Sequence, residues 1–347
     1  MPKITLVIPV FNAISYLPNL FENLEKQDFT DFLCLFVYDN STDETLSRLQ
    51  FLQSKFANIQ GKVLVKPKKE GVGKARDFAI DSGLIASKYV LFLDSDDAFS
   101  PFFLSTLFAK AESTGADITM CGYQRIQESA GRVISREMIN NPDEINDLST
   151  CDVIPYLNPA PWNKLYRFDV IKDCRFIFSG GGEDEMFFLK VLPNCRKIAF
   201  VNETLYDYHL HSGSILANTD NKLYEESLNG YKEVKNFYFS KAGRYLEFIP
   251  ILEASVFVRF GIGMTTRTCL CVPKKRASII KTSRSFLDAN FSGWKKNKFL
   301  SFHRCFKRGF KTLLIWRCRF LYKINCFCLF VFDYAFFTKY FKKDIKW

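Results

Sequence analysis

The sequence predicts an α/β protein: a mostly parallel sheet of Rossmann-like type with helices on both faces, followed by a helical, basic and aromatic segment. Over the first 125 residues, short continuously apolar runs alternate with amphipathic stretches, with strands recurring about every 30 residues. Such runs are typical of parallel strands that are buried on both faces. Unusual residues follow three of these runs, at Pro9–Asn12, Asp39–Asp43 and Asp94–Asp97, and the carboxyl ends of the strands are where such sheets bind ligands.

The individual elements follow from these patterns in chain order. Strands are predicted over Ile4–Ile8, Phe32–Tyr38, Lys62–Val65, Tyr89–Leu93 and Asp117–Tyr123. Helices are predicted over Tyr16–Leu24, from a capping-box pattern at Ser41-x-x-Glu44, over Val72–Ala86, from Ser100-Pro101, and over Glu183–Leu192. Residues 126–160 are polar and irregular, which predicts loops, and the pattern turns helical from about Thr219.

Charge divides the chain unevenly. Residues 259–347 contain 21 Lys/Arg and three Asp, a net charge of +18, whereas residues 1–258 contain 27 Lys/Arg and 34 Asp/Glu, a net charge of −7. We therefore predict a first domain over 1–215 and a helical C-terminal region over 216–347, basic from about residue 273, with an anionic partner. Eleven cysteines without C-x-x-C spacing, and a start that runs straight into a strand, predict reduced thiols and no secretory signal, hence a cytoplasmic location.

Three carboxylates follow the fourth predicted strand at Asp94-Ser95-Asp96-Asp97. Residues i and i+2 of an extended segment point the same way, so Asp94 and Asp96 can face one site. Hard cations such as Mg²⁺ and Mn²⁺ prefer oxygen ligands and share them with substrate phosphates. The alternative is a polar turn that caps the next helix.

Six motifs occur in order over residues 3–210: P-V-F-N at 9–12, D-N-S-T-D at 39–43, G-V-G-K-A-R-D at 71–77, L-D-S-D-D at 93–97, W-N-K-L-Y at 162–166 and G-E-D at 182–184. Together they resemble glycosyltransferase family 2, which has the GT-A fold and includes enzymes of bacterial surface polysaccharide and lipooligosaccharide synthesis. The chain departs from the family pattern at Tyr38, Asn40 and Asp77, where Asp, Gly and Asn are usual.

The resemblance implies an inverting, metal-dependent transfer from a UDP-sugar. Asp39 would bind uracil in a pocket shaped by Pro9, Phe11 and Asn12, and Asp96 would coordinate Mn²⁺ or Mg²⁺. The other implied nucleotide-sugar contacts are Lys74, Arg76, Asp94 at the ribose, and Ser95.

The resemblance also implies that Asp184 is the catalytic base, with Glu183 orienting the acceptor. Acids in a first helical turn are also favoured by the helix dipole alone. Trp162 is a candidate for stacking on the acceptor sugar, or a buried aromatic. His209 and His211 are candidates for a diphosphate or metal contact, or ordinary loop residues.

The tail at 291–347 mixes Lys/Arg with aromatic residues, and Phe299, Phe302, Phe306 and Phe310 recur at helical spacing. This pattern favours an amphipathic segment on an anionic membrane surface, here the inner face of the cell membrane. The alternative is a helical subdomain packed on the core. No nucleic-acid-binding motif is present, so no nucleic-acid partner is expected.

Together these features predict transfer of a sugar to a hydroxyl of a saccharide or lipid-linked acceptor in cell-surface glycan synthesis. One alternative is a non-catalytic, membrane-associated protein that binds nucleotides. Another is a sugar nucleotidyltransferase, but that class needs a glycine-rich loop after the first strand, and residues 9–12 contain no glycine.

Overall fold

The computed structural model describes residues 1–128, 131–176, 182–210, 221–308, 310–331 and 334. The chain forms two compact units. The first comprises Met1–Leu148 and Asn158–Ser214, and the second comprises Ser149–Leu157 and Ile215–Trp347.

The first unit is built on a ten-stranded sheet. Its strands are β1 (Ile4–Val10), β2 (Phe32–Tyr38), β3 (Gly61–Val65), β4 (Tyr89–Phe92), β5 (Ala98–Phe99), β6 (Ile118–Gln127), β7 (Arg132–Glu137), β8 (Glu144–Ile145), β9 (Lys164–Arg167) and β10 (Ile198–Leu210). The order across the sheet is β3-β2-β1-β4-β9-β6-β10-β5, with β7 paired to β6 and β8 to β10. The prediction of loops throughout 126–160 was wrong, because β7 and β8 lie in this segment.

The first four strands pair in parallel, and most apolar side chains of β1, β2 and β4 are buried, whereas those of the edge strand β3 are partly or fully exposed. Leu6, Phe36 and Leu91 are fully buried, as expected for a sheet covered on both faces. The α/β class is therefore confirmed. Between β4 and β6, however, β9 runs antiparallel to both neighbours, a pairing that the sequence did not predict.

The helices of the first unit connect these strands. They are α1 (Leu17–Glu25), α2 (Thr45–Lys55), α3 (Val72–Asp81), α4 (Phe103–Thr114), α5 (Phe168–Ile171) and α6 (Glu183–Val191). The predicted capping box at Ser41 and Glu44 was wrong: α2 begins at Thr45, whose amide donates to Asp43 Oδ1 at 3.1 Å. The predicted start at Ser100-Pro101 was also early, because a turn precedes α4.

The second unit is helical in its described residues. Its helices are α7 (Asn221–Lys241), α8 (Arg244–Glu247), α9 (Ile249–Val256), α10 (Thr265–Cys271), α11 (Arg276–Asn290), α12 (Phe302–Lys307) and α13 (Phe310–Lys323). A π-helical stretch, Phe257–Met264, joins α9 to α10. The resulting helix, Ile249–Cys271, is long and apolar enough to cross a membrane, but 72% of its apolar window is buried inside the protein.

Residues 149–157 pack within the second unit rather than the first. Tyr156 Oη donates to the carbonyl of Phe299 at 2.7 Å, and Arg304 forms an ion pair with Asp152. The expected aromatic stripe is divided here: Phe299 is buried, whereas Phe302 and Phe306 are exposed.

Candidate active site

An asparagine with positive φ lies in each of the loops that follow β1 and β2. Asn12 and Asn40 both adopt positive φ, 47° and 52°, which asparagine tolerates better than most residues. Asn12 Oδ1 accepts from the amide of Thr42 at 2.9 Å, and the amide of Asn12 donates to Ser41 Oγ at 3.0 Å. Asn12 therefore holds the two loops together, a role distinct from the predicted base contact.

The carboxylate of Asp39, at the end of the β2 region, is buried and accepts three hydrogen bonds. Its Oδ1 accepts from Lys66 Nζ at 2.6 Å and from the amide of Glu70 at 3.1 Å, and its Oδ2 accepts from the amide of Gly71 at 2.7 Å. Lys66 is only 2% exposed, so this is a buried ion pair. A carboxylate has about four lone-pair sites, which leaves Asp39 room for about one further donor.

Phe11 lies beside the same loop. Lys69 Nζ sits 3.7 Å from the centroid of the Phe11 ring, within the range of a cation–π contact. Pro9 and Phe11 are partly exposed. An aromatic face and a buried carboxylate are thus available near the ends of β1 and β2.

Arg76 on α3 joins two acids that are far apart in sequence. Its Nη2 donates to Asp94 Oδ1 at 2.7 Å, and its Nη1 donates to Asp184 Oδ1 at 2.6 Å. The Arg76 side chain is 2% exposed, whereas those of Asp94 and Asp184 are 26% and 28% exposed. Burial opposes the charge of Arg76, but Asp184 and Asp94 raise its pKa above the ordinary value. The predicted base and the predicted ribose contact therefore share one buried cation.

The neighbours of Arg76 hold it in place. Its guanidinium lies 5.2 Å from the ring centroid of Phe176, which stacks on Phe187 at 4.0 Å. Asp77 Oδ1 accepts from the amide of Phe176 at 2.8 Å, and its Oδ2 accepts from Lys74 Nζ at 3.2 Å. Lys74 is thus a neighbour of this cluster through Asp77.

The acidic cluster after β4 combines two environments. Asp94, Ser95 and Asp96 are partly exposed, whereas Asp97 is buried and accepts from Tyr206 Oη and the amide of His209, both at 2.8 Å. Burial, and after it the charges of Asp96 and Asp184, raise the pKa of Asp94 to about 6 against the opposing charge of Arg76.

This cluster fits a hard divalent cation. Its donors are carboxylate oxygens, the ligands that Mg²⁺ and Mn²⁺ prefer, and its crowded negative charge is what a cation would offset. Asp96 would hold the ion, with Asp94 beside it. Among the residues that the structure describes, no group of three or more His, Cys, Asp and Glu side chains that could hold a metal is found.

Asp184 lies in the first turn of α6, where Gly182 turns the chain. Gly182 adopts φ 91°, a left-handed conformation that favours glycine. Glu183 is only 6% exposed, so its side chain offers an acceptor little surface. Of the two predicted acids, Asp184 has the more accessible carboxylate.

Trp162 is buried among tyrosines. It is 5% exposed and stacks on Tyr206 at 4.6 Å and on Tyr208 at 5.2 Å, with Tyr123 at its edge. This geometry matches the packing alternative for Trp162, and Tyr208 is the more exposed ring of the stack. The backbone of His209 lies against Asp97, and His211 lies outside the described residues.

Three contributors were missed by sequence reasoning. Lys66 carries no local signal, because an isolated lysine after a strand is normally solvated. Asp97 was visible only as a third acid, and its role depends on Tyr206 from a distant strand. Burial, and after it the negative charges of Glu128 and Asp96, raise the pKa of the Tyr16 hydroxyl above its ordinary value.

Comparison with known proteins agrees with this geometry. The family described as Glycosyl transferase family 2 matches residues 5–175. These matched residues belong to glycosyltransferase family 2. GlyA, a glycosyltransferase of Streptococcus pneumoniae serotype 4, is 26% identical over 61% of this chain and 31% of its own length. TarS, the poly(ribitol-phosphate) β-N-acetylglucosaminyltransferase of Staphylococcus aureus, is 28% identical over 60% of this chain and 35% of its own length.

Solved structures show the same fold. TarS residues 1–349 in complex with UDP-GlcNAc superpose with a TM-score of 0.69 at 21% identity, over 93% of this chain and 92% of that one. A mannosyltransferase from Pyrobaculum calidifontis with GDP-Man and Mn²⁺ gives 0.52 at 12% identity, over 99% and 88%. The fold is thus GT-A, and the comparisons place the chain among glycosyltransferases. It spans about a third of the length of the relatives GlyA and TarS.

Proposed function

We propose that this glycosyltransferase moves a sugar from a UDP-sugar to a hydroxyl of a saccharide or lipid-linked acceptor, with inversion, in bacterial cell-surface glycan synthesis. The observation that carries the proposal is the Arg76 guanidinium, which holds Asp94 and Asp184 within 2.7 Å of its nitrogens. The donor-side acid and the base are thereby fixed relative to one another before substrate arrives, which lowers the entropic cost of reaction.

The uracil ring of the donor would bind near Asp39. The imide N–H of uracil is a donor, and Asp39 retains about one acceptor position after its three internal bonds. The faces of Pro9 and Phe11 offer apolar surface to the ring. UDP-GlcNAc, the ligand in the TarS complex, is therefore the first donor to test.

In the proposed transfer step, one bond forms, one bond breaks and one proton moves. The acceptor oxygen bonds to the anomeric carbon from the side opposite the diphosphate, and the bond from that carbon to the diphosphate oxygen breaks. The electron pair leaves with UDP, and Asp184 Oδ2 takes the hydroxyl proton while Oδ1 stays bonded to Arg76. A divalent cation held by Asp96 would offset the charge that develops on the diphosphate.

The test separates donor binding from chemistry. Calorimetry with UDP and UDP-GlcNAc, with and without Mn²⁺, is expected to show metal-dependent binding that Asp96→Ala abolishes and Asp184→Asn retains. Transfer or slow donor hydrolysis is expected to disappear in Asp184→Asn and to persist in Asp169→Asn, an exposed acid on α5.

Three results would overturn parts of the proposal. Full turnover by Asp184→Asn would remove the base assignment. Retention of the donor's anomeric configuration, read from the product by NMR, would remove the inverting mechanism. If no uridine nucleotide binds, the role of Asp39 is wrong.

A further inference from the structure

The second unit carries four aromatic rings at the surface of α12 and α13, here termed the aromatic ridge. Phe302, Phe306 and Phe320 are exposed, and Trp316 is partly exposed. Phe302 lies 5.8 Å from Phe306 and 5.0 Å from Trp316, and Trp316 lies 6.2 Å from Phe320, measured between ring centroids. The three phenylalanines are 51%, 65% and 49% exposed. Contiguous apolar surface of this kind marks a contact with a partner or a membrane.

The helices that carry the ridge also contribute side chains to the packed interior. Cys305, Ile315 and Cys318 of the same two helices are buried. Arg319 also points inward, where it donates to the carbonyls of Leu300 and Lys295. Phe302, Phe306 and Phe320 are therefore left at the surface, while other side chains of these helices are packed inside.

The surroundings of the ridge are strongly basic. Residues 291–334 contain ten Lys/Arg and a single Asp. Arg304 is paired with Asp152 and Arg319 is buried, but Arg308, Arg317 and Lys323 are exposed. Aromatic rings beside exposed cations match the two regions of an anionic lipid interface, in which rings enter the acyl boundary and cations stay among the headgroups.

We propose that the aromatic ridge inserts into an anionic lipid surface and holds the enzyme on the inner face of the cell membrane. Exposed aliphatic side chains continue along the same segment at Ile324 and Leu329, 48% and 53% exposed. Aliphatic groups gain free energy from hydrocarbon but offer no face for stacking bases, so lipid is favoured over a nucleic acid. This proposal is independent of donor, acceptor and transfer mechanism.

The full-length protein is tested by co-sedimentation with vesicles of phosphatidylcholine alone and of equal parts phosphatidylcholine and phosphatidylglycerol. Binding to the anionic vesicles alone is expected, and it should weaken with salt. Replacing Phe302, Phe306 and Phe320 together by Ser is expected to lower the partition coefficient by more than about tenfold. Arg308→Glu with Arg317→Glu is expected to lower it by roughly fivefold or more for each charge.

A matched triple variant controls for the loss of exposed phenylalanine. Phe51, Phe102 and Phe239 are 56%, 59% and 56% exposed and lie away from the ridge in sequence. Their replacement by Ser is expected to leave vesicle binding unchanged. Unfolding temperatures of both triples, compared with the parent, show whether each protein is folded.

Fluorescence gives a second measurement that needs no ridge deletion. Trp162 and Trp294 are buried, so in a Trp347→Phe background the emission that changes on vesicle binding comes from Trp316. We expect a blue shift and quenching by brominated acyl chains, both absent in Trp316→Phe. Unchanged vesicle binding by the ridge triple, or an unshifted Trp316, would overturn the proposal. The proposal would also be overturned if the ridge triple abolished a dimer in solution, or if it abolished binding to RNA and the parent protein did not bind vesicles.

Discussion

Arg76→Lys tests whether one guanidinium must hold both acids. Arginine reaches Asp94 and Asp184 with separate nitrogens at 2.7 and 2.6 Å, whereas a lysine ammonium is a single compact charge. The variant keeps the buried positive charge but gives up one charge-assisted hydrogen bond, worth about 1.5–3 kcal/mol. If that bond positions the reacting groups, kcat/KM falls roughly 10- to 150-fold, since about 1.4 kcal/mol corresponds to tenfold.

The assay is kcat/KM for donor turnover, with the thermal unfolding midpoint recorded to show that the variant is folded. Arg175→Lys is the control. Arg175 also contacts one acid, Asp81, through two nitrogens at 3.0 and 2.6 Å, but both side chains are substantially exposed. Its kcat/KM is expected to be unchanged. A folded Arg76→Lys variant within about threefold of the parent would refute the reasoning, because it would show that a single contact suffices.

Three further predictions concern stability. Lys66→Met leaves the buried Asp39 carboxylate without its cation, so we expect it to lower the free energy of unfolding, measured by chemical denaturation, by about 3–5 kcal/mol. Adding Asp39→Asn is expected to recover part of the loss. A cost below about 1 kcal/mol contradicts the burial of the pair. Gly122→Ala places a Cβ 2.7 Å from the carbonyl oxygen of Glu203, so we expect a loss of about 1–3 kcal/mol, and a neutral result means that β10 shifts. Burial raises the pKa of Glu253 in the folded protein; its stabilising contribution is therefore present at low pH and is lost as pH rises through the folded pKa. The free energy of unfolding, measured in pH steps, is expected to vary less in Glu253→Gln, and identical pH profiles count against this.

The sequence predicted best what depends on neighbouring residues. Both ends of β2, Phe32–Tyr38, were predicted because polar or charged residues bound a continuous apolar run. The start of α2 was missed because Asp43 rather than Ser41 accepts from a helix amide, while Ser41 is used by Asn12. Either hydrogen bond is compatible with the same sequence.

Long-range pairings lay beyond such reasoning. The antiparallel insertion of β9 depends on tertiary pairing with β4 and β6, for which four residues carry no directional signal. In the site, Asp94 and Asp184 were each singled out from motifs. The single cation that joins them became visible only when α3 and α6 were brought together, because 108 residues separate Arg76 from Asp184.

Residues 149–157 make the order of synthesis matter. The partners that hold this segment in the second unit are encoded late: Phe299 follows Tyr156 by 143 residues, and Arg304 follows Asp152 by 152. At roughly 5–20 residues per second, a ribosome needs about 8–30 seconds to reach them. During that interval the sheet can form while Ile154 and Leu157, which are buried in the folded protein, are still exposed to water. The nascent chain therefore passes through a stage in which this segment is open to proteases and chaperones, and that stage ends only after Phe299 and Arg304 have been translated.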